Sequence, residues 1–236
     1  MRWRSSCRRS ASAVWSSTIF GGAPSSWPER TDSVISPSSS ANLNSLPTRV
    51  RLFLAVNLPA DVRHAIAHAA TPLRAVAPGL SWVNEEKVHL TVKFLGQQPA
   101  VMAERVATAM REVAARNRVI DVEVGGVGAF PNFRRPRVVW IGVTPEPKLE
   151  LLHHDVESSC ESLGLPIDGK PFRPHLTLAR VRPRASDPQT LRELAHAARA
   201  VSYVEEVVIT SIDLMESTHT ASGSVYRIVA SAALRD

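Results

Sequence analysis

Apolar and polar positions along this chain switch repeatedly between the alternation of a strand and the wider spacing of a helix face. The stretch VRLFLAVNLP at 50–59 is almost continuously apolar and predicts a buried strand; apolar residues then recur at helical spacing over 60–76, until Pro78-Gly79 ends the run. A strand from His89 follows. Val101, Met102, Val106, Met110 and Val113 place a helix over 101–115, and 119–130 and 137–143 read as strands. A helix over 147–163, a second strand from His175, a helix over 188–200 and strands at 205–216 and 224–234 complete the pattern.

Residues 1–47 lack any such period. They hold five arginines and fourteen serines against only Glu29 and Asp32, a composition that cannot bury enough apolar surface to order itself. Residues 1–48 are therefore expected to be a disordered leader, an overlong start or dispensable tail, with the folded domain over 49–236. An Arg- and Ser-rich leader can resemble an organelle transit peptide, whereas the serines that interrupt 15–20 remove the apolar centre of a secretory signal. Half of the formal net charge of +6 sits in this segment. The basic balance leans toward an anionic partner such as nucleic acid. No run approaches the roughly 18 apolar residues of a membrane span, so no membrane partner is expected. Cys7 and Cys160 are the only cysteines, too few for a disulfide framework or a Cys-x-x-Cys metal clip, and a cytoplasmic location is expected.

Two stretches carry candidate chemistry. HLTVKFLG begins at His89, and PHLTLARV repeats His-Leu-Thr at His175. Alone, either histidine would be read as a core residue. The surroundings match, however: shifted by the 86 residues between the two histidines, Arg137 falls on Arg51, Pro145 on Pro59, VVWIG on LFLAV, and Thr210 on Val124, without a gap. The chain reads as an internal duplication of a strand-helix-strand-helix-strand unit. Packed about a pseudo-twofold axis, the copies would bring both His-x-Thr strands to one cleft. In a strand, residues i and i+2 share a face, so His89 with Thr91, and His175 with Thr177, face away from Leu90 and Leu176. Imidazole accepts a proton when neutral and donates one when charged, and threonine hydroxyls donate to phosphate oxygens. Such a set cleaves a phosphodiester without a metal.

These two stretches resemble the paired signatures of the 2H phosphoesterase superfamily. With RLFLAVNLP and VGAFPNFRRPRVVWIGV (127–143), the similarity runs from 50 to about 234 and is to the RNA 2′,3′-cyclic phosphodiesterases, also called 2′-5′ RNA ligases or LigT-like proteins. The resemblance implies an α+β, bilobal, pseudo-twofold fold with two antiparallel sheets flanking a central cleft and helices outside. It implies hydrolysis of RNA 2′,3′-cyclic phosphate ends to 2′-phosphomonoesters, with His89 as proton donor to the leaving 3′ oxygen and His175 as proton acceptor from water. Run in reverse, such a site joins RNA through a 2′-5′ linkage without ATP; no Gly-x-x-x-x-Gly-Lys-Ser/Thr loop is present. No cofactor and no metal are expected, and the protein is expected to be a monomer. The expected partner is RNA with a cyclic phosphate end, or a related nucleotide.

Other residues have two readings. Arg180 matches an arginine that follows the second motif and would pair with phosphate, yet strict alternation from His175 points it away from the cleft unless a bulge or the end of the strand intervenes. Lys93 either shares the face of His89 or is an ordinary exposed strand lysine. Phe130 and Phe133 with Arg134 and Arg135 interleave rings and cations as a platform for an RNA end would, while Phe130 could equally close a core. His64 and His68 have metal-compatible spacing but no further ligand cluster, and read as surface residues, and His153, His154, His196 and His219 have no telling partner. The alternatives for the whole protein are a phosphodiesterase for small cyclic nucleotides or 2′-5′ oligonucleotides, and a non-catalytic RNA-end binding module; a metal hydrolase is disfavoured because no carboxylate stands at ligand spacing to either motif.

Overall fold

A computed structural model describes residues 49–182, 187–220 and 223–236. The expected leader lies outside the described residues. Within them, β1 (Arg49–Asn57) leads through α1 (Ala60–Ala69) and α2 (Thr71–Val76) to the short β2 (Ser81–Trp82), a single 3-10 turn (Glu85–Lys87) and β3 (His89–Pro99). Next come α3 (Met102–Ala114), β4 (Ile120–Phe130), β5 (Val138–Val143), α4 (Pro147–Ser162), β6 (His175–Arg180), α5 (Pro188–Ala200), β7 (Val204–Ile209), β8 (Ser211–Thr220) and β9 (Gly223–Ala233). The helix starts follow from chemistry: α4 and α5 each begin with proline, and the carboxylates of Glu146 and Asp187 accept from the next free backbone N–H groups.

The strands form one antiparallel sheet in the order β7-β4-β5-β6-β3-β1-β8-β9, with β2 paired to β6. It is two four-stranded halves joined at a single pair, Leu90 opposite Leu176. Helix α3 packs on β8 and β9 together with α4, while α5 packs on β4 and α2. Each half thus buries its helix-facing side in one continuous core that includes Leu52, Leu54, Leu90, Ile141, Leu149 and Leu176.

The structure corrects the sequence reading in three places. The helix expected over 60–76 is two helices that break at Ala70, with Pro72 in the first turn of the second. The segment before His89 contains β2 and the 3-10 turn, too short for a periodic signal. The strand expected at 205–216 is two strands: β7 pairs with β4 in one half, and β8 pairs with β1 in the other. An unbroken β-forming run cannot reveal that the chain crosses between partners at Thr210.

Candidate active site

Both histidines open their strands beside the seam between the halves. His89 Nδ1 lies 2.8 Å from the carbonyl of Lys87, and His175 Nδ1 lies 2.7 Å from that of Arg173. Because a carbonyl only accepts, each Nδ1 carries the proton, and each Nε2 is left to trade protons with a substrate. The two tethers sit at equivalent places in the duplication. Each ring is also held by two aromatic neighbours: Phe53 (5.1 Å between centroids) and Tyr226 (5.3 Å, edge-on) for His89, and Phe130 (4.9 Å, edge-on) and Trp140 (6.4 Å) for His175. Trp140 reaches its place because Gly128 has no side chain: a Cβ there would stand 2.1 Å from the indole.

Beyond the motifs, each strand carries a bulge. The register passes from Leu54–Lys93 to Ala55–Thr91, leaving Val92 unpaired, and from Val139–Ala179 to Trp140–Thr177, leaving Leu178 unpaired. The carbonyl of Leu178 accepts instead from the N–H of Val83 at 2.8 Å. An extra residue reverses the side-chain alternation after it. Arg180 therefore faces the cleft. Lys93 is turned into the core, 1% exposed, where its ammonium meets Glu157 of α4 at 2.7 Å and the carbonyl of Pro166 at 2.9 Å. Neither reading of Lys93 offered by the sequence is correct; a strict two-residue period fails where a bulge intervenes.

Together, His89, His175, Thr91, Thr177 and Arg180 line a cleft of about 550 Å³. Arg51 and Lys87 line it too, with no carboxylate among the described residues of its wall, so the cleft favours an anion. Burial first, then the charge of Arg180 and the other imidazole, pushes the His89 pKa below the ordinary histidine value against the raising effect of its Lys87 hydrogen bond. A second cavity of about 780 Å³ shares Thr91, Phe94 and His175 with the first and is walled by Phe130 and Phe172. The cluster of rings and cations in 130–135 is divided: Phe130 stands in this second cavity against His175, Arg134 lines a separate groove with Phe133, and Arg135 lines none of the three.

The sequence reading missed Phe94, Tyr226, Arg51 and His219 as cleft residues. Phe94 was accessible: it is the duplication partner of Arg180, and it is 55% exposed, far more than a strand phenylalanine in a core. Tyr226 and His219 arrive on the β8–β9 hairpin, and no local pattern announces that. Among the described residues no three His, Cys, Asp or Glu side chains gather as metal ligands. His64 pairs with Glu85 at 3.4 Å, and His153 stacks on Phe172 at 4.2 Å. No helix of the described residues is long and apolar enough to cross a membrane.

Comparison with known proteins gives a consistent result. The model of the 2′-5′ RNA ligase superfamily matches residues 59–219. Curated relatives named RNA 2′,3′-cyclic phosphodiesterase include one from Archaeoglobus fulgidus, 34% identical over 180 residues, 75% of this chain and 97% of that protein. Another, from Geobacillus stearothermophilus, is 36% identical over 163 residues, 68% of this chain but about half (52%) of the relative. Among solved structures, a Thermus thermophilus protein matches with TM-score 0.65 at 28% identity, covering 78% of this chain and 98% of that one. E. coli LigT complexed with 3′-AMP matches with TM-score 0.63 at 25% identity, covering 80% and 99%. With a family model spanning both His-x-Thr strands and the bulge that turns Arg180 into their cleft, the chain belongs to the 2′-5′ RNA ligase superfamily.

Proposed function

We propose that this protein is an RNA 2′,3′-cyclic phosphodiesterase, and that the observation carrying this is the pair of Nδ1-tethered imidazoles lining one cationic cleft. The scissile phosphate sits between them. Arg180 and the hydroxyls of Thr91 and Thr177 take the non-bridging oxygens, holding the phosphorus in place and stabilising the charge that builds on it. His175 Nε2 removes a proton from water as its oxygen attacks phosphorus. The P–O3′ bond breaks, and His89 Nε2–H protonates the departing oxygen, leaving a 3′-hydroxyl and a 2′-phosphomonoester. Each proton transfer is worth roughly 10² to 10⁴ in rate. Exchange with solvent then resets both rings. The depressed pKa of empty His89 is offset when the phosphodiester anion enters, because a nearby negative charge favours the imidazolium.

The apolar second cavity takes the nucleoside, with the exposed ring of Phe94 or the half-buried ring of Phe130 as a stacking surface worth about 1–3 kcal/mol per base. Two cavities meeting at Thr91 and His175 also leave room for a nucleoside on either side of the phosphate. A 5′-hydroxyl in place of water then gives a 2′-5′ linkage by the same steps.

The test is hydrolysis of RNA ending in a 2′,3′-cyclic phosphate, in EDTA. Turnover to the 2′-phosphomonoester is expected to persist in the chelator and to trace a bell against pH. His89→Ala and His175→Ala should each lower kcat by several orders of magnitude, with the double variant little worse than either. Turnover abolished by EDTA and restored by a metal ion, or retained by both single variants, would overturn the proposal.

A further inference from the structure

Apart from the cleft, a groove of about 710 Å³ runs between α5 and the β4–β5 loop, lined by Arg134, Arg192 and Arg199 over a floor that includes Phe133, Leu191 and Ala195. Arg192 and Arg199 are seven residues apart, two turns along one helix face, and all three arginines are exposed. Among the described residues no carboxylate lines the groove. The acids of α5 and its cap are engaged elsewhere: Glu193 accepts from Gln189 at 2.9 Å, and Asp187 accepts from the N–H groups of Gln189 and Thr190. None of the three guanidinium groups has an ion pair among the described residues. Cations around an apolar floor match a single-stranded polynucleotide, whose phosphates pair with the rim while sugars and bases rest on the floor.

One connection leads from the cleft to this groove. Phe130, edge-on to His175, is three residues from Phe133, so their Cα atoms lie within about 11 Å of each other. We infer that this groove is a distal RNA subsite, which holds the backbone a few nucleotides upstream of the cyclic end and makes the enzyme prefer polynucleotides over mononucleotides. The inference rests on the proposed action at RNA ends.

The test compares wild type with an Arg192→Glu, Arg199→Glu variant on two substrates: 2′,3′-cyclic AMP, and a single-stranded RNA of about ten nucleotides with a cyclic end, long enough to span a typical single-strand site. The variant is expected to keep its mononucleotide turnover and its melting temperature. Its KM for the oligonucleotide should rise about tenfold or more at low salt, and the slope of log affinity against log salt should fall by about 1.4, the counterion release of two phosphate contacts. An unchanged oligonucleotide KM and slope would overturn the subsite, as would an equal loss on both substrates. Should the wild type hydrolyse neither substrate, the proposed activity fails. Fluorescence anisotropy with the same RNA bearing a 3′-hydroxyl then decides the groove alone: it stands if the variant loses affinity and slope, and falls if it does not.

Discussion

At the scale of single residues, burial sets the protonation of His89. His89 is crowded by Phe53 and Tyr226, and its burial disfavours the imidazolium. Its folded pKa is below the unfolded value, so the unfolded chain binds more protons between the two, and His89 subtracts stability as pH falls from about 6.5 toward its folded pKa. An anion in the cleft reverses this. In the His175→Ala protein, which should bind without turnover, an NMR titration of His89 is expected to show a pKa below the ordinary histidine value when empty, rising when a cyclic nucleotide is bound. A pKa that does not move with occupancy would remove His89 from the role of acid. The same roles predict that a substrate with a much better leaving group rescues His89→Ala and leaves His175→Ala inactive, read as relative kcat.

The elements owe their function to two irregularities. Without the bulges at Val92 and Leu178, Arg180 would point away from the cleft and Lys93 into it. The buried ion pair that results ties β3 to α4, and Glu157 also accepts from the N–H of Asp168 at 3.1 Å, holding the loop that walls the second cavity. A lysine removed from such a pair leaves a buried carboxylate without its ammonium partner, with only the His153 imidazole at 3.6 Å and the Asp168 N–H beside it. Lys93→Met is therefore expected to destabilise the fold by about 3–5 kcal/mol in urea denaturation, with most of that loss regained when Glu157→Leu is added. A single variant that unfolds like wild type would show that Lys93 does not depend on Glu157. Much of this level was legible. The helix faces, the strand runs and even the 86-residue repeat appear in the spacing of apolar residues, and the alternation after His175 showed that Arg180 reaches the cleft only through a bulge or the end of the strand. The bulge at Val92 was not, since lysine is at home on an exposed strand.

Across the whole molecule, the duplication is interleaved. β1 and β3 of the first copy pair on with β8 of the second, while β5 and β6 of the second pair on with β4 of the first. Neither half is a continuous piece of chain, so the two His-x-Thr strands are locked side by side by strands exchanged between copies. The described strands and helices that build the core and cleft run from Arg49 to Ala233. A chain starting at Arg49 is accordingly expected to keep the melting temperature and turnover of the full chain; a large drop in either would show that residues 1–48 contribute to the domain.

By itself the sequence determined the parts and their chemistry: which segments are strands and helices, that the unit is written twice, and that two imidazoles and two hydroxyls share equivalent faces. Those follow from short-range periodicity, which is local and additive. The tertiary structure decided the partners: the crossing at Thr210, the hairpin that brings Tyr226 and His219 to the first motif, the bulges that exchange the faces of Lys93 and Arg180, and the separation of Phe130 from Arg134. Each depends on which distant strand satisfies a given row of backbone hydrogen bonds, and a period of two along one strand is blind to the register of its neighbour.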